Sequence, residues 1–278
     1  MQYFKKIFLR STLKHFLFFF FIISNIYAQE DWINYVVKKE KGIMSITIDM
    51  DLAYNKPNYK NLLIVGSNFR RGCLKNGFPN NEGIDLLSTF SDSTALIINK
   101  LTKNQLVGII TYQCMGLDVY YVKDTLDIRK NLNDLFNKKF KNTTKYIFIE
   151  FDKKWSYYKK NLYPDFNSDD FFIDQQFLSE MVFQGDDLTN KRNLTHWFYF
   201  NKIKKRNEFV DLLKKYKFSI DSLNYKKEKT YSYELQASHK EYIDPESIIK
   251  LTETLKVYAE LFKGQYDGWS TEIIKQYQ

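Results

Sequence analysis

Apolar and polar positions alternate strictly through "GIMSITIDMD". Met44, Ile46, Ile48 and Met50 fall on one side, with Ser45, Thr47 and Asp49 on the other. That period of two predicts a half-buried strand, paired with Trp32–Lys38 through a turn at Lys41-Gly42. "NLLIVGSNF" is apolar on both sides and reads as a central strand. A period near 3.6 then predicts a helix from Asn81 to Leu101, capped by Asn80, with Leu87, Phe90, Ile97, Ile98 and Leu101 inward. "QLVGIITYQCMGLDVYYVKD" reads as a hairpin turning near Gly116. A short helix from Leu126 to Phe136 and the strand "KYIFIEF" follow. The order strand, strand, helix, hairpin, helix, strand predicts an α+β sandwich on a mainly antiparallel sheet.

The segment "DKKWSYYKKNLYPDFNSDD" breaks the pattern with polar residues and Pro164. The next helix, "DDFFIDQQFLSEMVFQG", is capped by Ser168 or Asp169 and stopped at Gly185, with Phe171, Leu178, Met181 and Val182 on one face. It is expected to pack on one of two domains and so fix their angle. The remainder reads as strand "NLTHWFYF", helix Ile203–Tyr216, strands "FSIDSLNYKK" and "TYSYELQASH", a helix from Pro245 to Phe262 capped by Asp244, and final strand "GWSTEII". This β-α-β-β-α-β order is the ferredoxin-like one. Gly264 is expected as the left-handed cap of the last helix, Asp267-Gly268 as a turn, and Trp269 as the start of the strand. The domain limits so drawn are a leader at 1–28, a first α+β domain at 29–152, a linker and helix at 153–190, and a second domain at 191–278.

The leader reading rests on basic residues Lys5, Lys6, Arg10 and Lys14, an apolar run from Phe16 to Ile23, and Ala28 before Gln29. That is the layout of a cleavable secretory signal, too short in its apolar run for the ~20 residues that span a bilayer. It predicts an exported protein, periplasmic or extracellular, with no transmembrane segment after cleavage. Removing the leader lowers the formal charge from +9 to about +5, a mild excess spread along the chain that argues against a nucleic-acid footprint.

Chemistry-bearing residues are sparse. Cys73 and Cys114 form a candidate disulfide, which sequence alone does not bring within bridging distance. His196 and His239 fall near the facing ends of neighbouring strands, so two imidazoles can meet there as a weak metal or acid–base candidate. Asp49/Asp51, Asp169/Asp170 and Asp186/Asp187 lack the ligand spacing of a calcium loop. No phosphate-binding loop, nucleophile elbow, dinucleotide fingerprint or HExxH spacing occurs, and no cofactor is implied. "GFPNNEG" is a turn entering a helix and a secondary site candidate.

Trp155, Tyr157, Tyr158, Tyr266, Asp267 and Trp269 remain as candidate binding residues, because aromatics are enriched at interface hot spots. A structural role for Tyr266 and Trp269, closing the core of the second domain, is the competing expectation.

"GQYDGWSTE", "THWFYF" and "FQGDDLTNKRNLTHWFYF" resemble the ribonuclease E inhibitor B family, also called regulator of ribonuclease activity B, over about 175–278. "DWINYVVKKEKGIMSITIDMDLA", "NGFPNNEG", "QLVGIITYQCMGLDVYYV" and "DKKWSYYKKNLYP" are similar to the domain of unknown function 695 family. The first resemblance implies a protein that binds an endoribonuclease in the cytoplasm. Export places this chain elsewhere and argues against literal ribonuclease E inhibition. The reading is a non-catalytic protein-binding or regulatory module; its alternative is a hydrolase-type enzyme with a site at the domain junction. A pocket lined by convergent polar groups would favour the enzyme.

Overall fold

β1 (Trp32–Lys39), β2 (Gly42–Asp49), β3 (Asn61–Asn68), β4 (Asn104–Tyr112), β5 (Met115–Val122) and β6 (Lys145–Phe151) form one antiparallel sheet in the order β1-β2-β4-β5-β3-β6. This computed structural model describes residues 32–165, 168–227 and 230–275. The expected leader at 1–28 lies outside them. β3 is apolar on both faces because both are covered: Leu63 and Val65 lie in one apolar layer, Leu62 and Ile64 in another. The first layer is closed by α1 (Asn81–Leu101) and α2 (Ile128–Lys139) through Phe90, Ile98, Ile128, Leu132 and Phe136. Asn80 caps α1 by accepting from the Gly83 N–H at 3.1 Å. Leu101, expected inward, is the last residue of α1 and is more than one-third exposed.

The β4–β5 hairpin turns at Gln113-Cys114, not near Gly116. Both residues are left-handed, with φ of 52° and 60°. The Cys114–Cys73 disulfide and a hydrogen bond from Gln113 to the Lys41 carbonyl hold that turn. Gly116 lies inside β5, where a Cβ would sit 2.4 Å from Leu87 Cδ2 of α1. Its glycine thus serves close helix–sheet packing rather than a turn.

The second sheet has the order β10-β7-β9-β8, from β7 (Arg192–Phe200), β8 (Ser219–Tyr225), β9 (Tyr233–Glu241) and β10 (Gly264–Ser270). With α4 (Ile203–Lys215) and α5 (Pro245–Leu261) it reproduces the β-α-β-β-α-β order. Phe198, Phe200, Phe209, Leu213, Leu235 and Leu255 share its core, while Tyr216, just past the end of α4, is exposed.

The end of α5 departs from expectation. Lys263, with φ 59°, takes the left-handed position expected of Gly264. Gly264 already belongs to β10, and a Cβ there would meet Phe200 Cε1 at 2.3 Å. Asp267-Gly268 is a bulge rather than a turn: the register with β7 shifts between Tyr266 and Trp269, and Gly268 has φ 107°. Three residues along a regular strand would point Tyr266 and Trp269 to opposite faces. The bulge turns both toward one face, opposite Phe198 and His196 respectively.

α3 (Asp169–Phe183), capped by Ser168, packs against β1 and also against α5, not on one sheet alone. Its inner residues Phe171, Leu178, Met181 and Val182 join Tyr35 and Val36 of β1 to Leu194, Ile248 and Ile249 in one continuous core. The helix therefore lies between the two sheets, as part of the same compact unit over 31–278.

Candidate functional site

Three elements, β10, α3 and α5, converge beside the bulge of β10. The Trp269 indole N–H donates to Asp174 Oδ1 of α3 at 2.8 Å, and Thr252 of α5 donates to Asp174 Oδ2 at 2.7 Å. Phe177, one turn further along α3, meets the Trp269 ring edge-on with centroids 4.8 Å apart. Burial raises the Asp174 pKa, and these two donors oppose that rise. Asp174 lies three residues after Phe171 and four before Leu178. A carboxylate on an apolar stripe was the sequence signal for it, and the pattern reading passed over it.

Tyr266 lies on the same face, its hydroxyl 2.9 Å from His196 Nδ1. The His196 ring is 5.2 Å from that of His239, so the two imidazoles do meet. Leu194 pairs with His239 and His196 with Ala237, which makes the histidines diagonal neighbours on one face. His196 is fully buried. Burial lowers its pKa to about 3, with His239 adding to the effect; His239 is itself lowered by burial. Burial also raises the Tyr266 phenol, and Asp174 raises it further. Both imidazoles and the Tyr266 phenol are thus neutral near pH 7. His196 Nε2 and His239 Nδ1 have no hydrogen-bond partner among the described residues. No group of three or more His, Cys, Asp or Glu that could hold a metal occurs among them either. What the arrangement does chemically is clamp α3 to the second sheet and hold a neutral imidazole pair behind Tyr266.

The other sequence candidates scatter. Trp155 is 1% exposed; it stacks on Tyr121 with centroids 3.9 Å apart and donates its indole N–H to the Tyr59 carbonyl. Tyr158 is equally buried and donates to the Asp49 carbonyl. Both are walls of the first core, so the reading of them as exposed contact residues is corrected. Only Tyr157 of that trio reaches solvent, half-buried. Asp267 is exposed at the bulge, and Trp269 is half-buried.

Among the acidic pairs, Asp49 accepts from Asp51 N–H, Asp170 pairs with Lys256, and Asp186 pairs with Arg192. Cys73 and Cys114 are bonded, with Cα atoms 5.6 Å apart. The "GFPNNEG" loop borders an open hollow of about 400 Å³ lined by Leu74, Pro79, Asn80, Ile84 and Phe183, in which Glu82 is the titratable group. It does not reach the histidines.

Trp197 and Tyr199 were passed over by the sequence reading. They alternate with the buried Phe198 and Phe200, and so stand on the opposite face of β7 as half-buried aromatics outside the core clusters. The alternation within "THWFYF" was the available signal.

Residues 173–271 match the family described as regulator of ribonuclease activity B, and residues 30–163 match a family of unknown function, DUF695. The N-terminal domain therefore resembles the second family and the C-terminal domain the first, in the order expected. No curated protein matches the chain. Among solved structures, a candidate glycine cleavage system transcriptional repressor aligns at 7% identity and a TM-score of 0.24, over 78% of this chain and all of its own. A protein from Galdieria sulphuraria aligns at 9% identity and a TM-score of 0.21, over 77% of this chain and 99% of its own. No helix among the described residues is long and apolar enough to cross a membrane.

Proposed function

We propose that the protein is an exported, non-catalytic module that binds and regulates another protein. The observation that carries the reading is the match of residues 173–271 to regulator of ribonuclease activity B. The leader layout at 1–28 supports export, with cleavage between Ala28 and Gln29. The Cys73–Cys114 bond is of the kind that persists in an oxidising compartment. An exported chain meets a different target from a cytoplasmic ribonuclease regulator, so the partner is a protein of the periplasm or cell surface. Half-buried Tyr157 and Trp269, with exposed Asp267, remain the contact candidates. The hydrolase alternative draws on the unpartnered nitrogens of His196 and His239. Among the described residues, no serine or cysteine is hydrogen-bonded to either ring.

Capture from periplasmic extract with the tagged mature chain, alongside N-terminal sequencing of the exported protein, tests this reading. A saturable partner and a start at Gln29 are expected. A soluble cytoplasmic form that retains residues 1–28 would overturn export. Turnover of ester or peptide substrates that is lost in His196→Gln would replace the binding reading with the enzymatic one.

A further inference from the structure

Each sheet ends in two edge strands, and the molecule finishes them differently. β1 is covered by α3, whose Gln175 side chain accepts the outward Val36 N–H at 2.8 Å. β8 is broken by a register shift between Ile220 and Ser222, with Asp221 in the gap. β10 is broken by its own bulge. These are the devices by which edges avoid unwanted pairing.

β6 carries no such break. "KYIFIEF" runs in unbroken register along β3 from Lys145↔Ser67 to Phe151↔Asn61, with no proline or glycine. Thr144 O accepts from Asn68 N–H, and Asp152 N–H donates to Lys60 O. The even-numbered residues therefore turn their backbone groups toward β3. Lys145, Ile147, Ile149 and Phe151 turn theirs outward. Among the described residues one side chain reaches this row: Arg129 Nη1 donates to Ile147 O at 3.2 Å. That carbonyl keeps a second lone pair. The rim is aromatic, with Phe151 68% and Tyr146 42% exposed.

We propose that β6 pairs antiparallel with β6 of a second copy of this chain, across a two-fold axis at Phe148, so that the two six-stranded sheets become one. The strand complements itself in that register. Ile147 faces the partner's Ile149, and these are outward residues able to exchange backbone hydrogen bonds in both directions. Tyr146 faces the partner's Glu150, a hydroxyl against a carboxylate. Lys145 faces the partner's Phe151. Neither Lys145 nor Glu150 meets its own copy, so no like charges oppose each other. Ile147 and Ile149 pack toward α1 and α2, and Phe148 toward the other layer. Both apolar layers would thus run on across the axis. A two-fold contact uses both edges at once, which closes the assembly as a dimer rather than a fibre.

Sedimentation velocity on the purified protein tests this. An edge pairing of this size belongs to the weaker interface class, so the range should extend to ~100 µM. A concentration-dependent dimer is expected. Ile149→Pro removes an outward N–H that the internal ladder does not use, so it should leave circular dichroism unchanged and give a monomer. Phe151→Lys, at an exposed position, sets ammonium against the partner's Lys145 and should weaken the dimer at least about fivefold. It reads out the pairing even if the proline variant misfolds. A wild-type monomer throughout the range overturns the proposal, as does a dimer that Phe151→Lys leaves unchanged.

Discussion

Asp118 on β5 of the six-stranded sheet and His196 on β7 of the four-stranded sheet are both titratable and almost wholly buried, yet they answer burial in opposite ways. Burial raises the Asp118 pKa to about 6; Asp92 adds to the rise and a hydrogen bond from Ser91 opposes it. Burial lowers the His196 pKa to about 3. In each case the low-dielectric layer disfavours the charged form, which holds a proton on the acid and keeps one off the base. Each also leaves one atom without a partner among the described residues, Asp118 Oδ2 and His196 Nε2. The difference teaches that the sheets carry opposing pH responses inside one compact unit, so the response of the whole conceals both. That inference depends on the two sheets unfolding together, and the largest predicted effect tests this.

A fully buried ion pair joins the segment after α3 to the start of β7. Asp186 accepts from the Arg192 guanidinium at 2.9 Å, and from the N–H groups of Leu188 and Ile274, each at 2.8 Å. Asn76, from the loop before α1, donates to the carbonyls of Val182 and Asp186. Asp186→Ala leaves Arg192 buried without its counter-charge, which should cost about 3–5 kcal/mol. Calorimetry should show one transition moved to lower temperature. Two resolved transitions would mean that the sheets unfold separately and that the comparison concerns two independent bodies.

A smaller effect sharpens the contrast at the clamp. Trp269→Ala removes a half-buried ring and one of the two side-chain donors to Asp174, so it should cost about 2–3 kcal/mol. Trp269→Phe keeps most of the contact with Phe177 and loses only the N–H, for about 1–2 kcal/mol. Urea titration distinguishes the two losses. If Trp269→Ala leaves the midpoint unchanged while abolishing partner capture, the residue belongs to a binding surface rather than to the clamp.

Much of this was legible in the pattern of side chains. The bounds of α1, the strand "KYIFIEF" and the β-α-β-β-α-β order follow from periods of 3.6 and two, because those elements bury one well-defined face. The meeting of His196 and His239 followed from strand order alone. What escaped was set by contacts between distant segments. Gly116 and Gly264 read as turn and cap residues, yet each is glycine because Leu87 or Phe200 approaches too closely for a Cβ. The bulge at Gly268 was hidden because Asp-Gly reads equally well as a turn. Trp155 and Tyr158 stood in a polar, proline-interrupted segment that looked exposed. That segment folds back over β2 and β5, and no local periodicity reports such a return.

The smallest predicted change in the intact protein is its response to pH, where the two buried groups act against each other. His196 has a folded pKa below its unfolded value. Its contribution to stability is therefore complete above about 6.5 and is lost as pH falls toward 3. Asp118 has a folded pKa above its unfolded value, so its contribution is complete below about 4 and is lost as pH rises through 6. Between pH 7 and pH 5 the first loses about 2 kcal/mol and the second regains about 1–2 kcal/mol, so unfolding free energy should change little. Removing one group at a time exposes the other. His196→Gln should become more stable on acidification to pH 5, by about 1–2 kcal/mol, and Asp118→Asn should become less stable by about 2 kcal/mol. Groups common to both variants cancel in the difference between them, which urea titrations at the two pH values measure. Equal slopes in both variants would show that neither buried group governs the pH response, and the opposition between the sheets would fall with it.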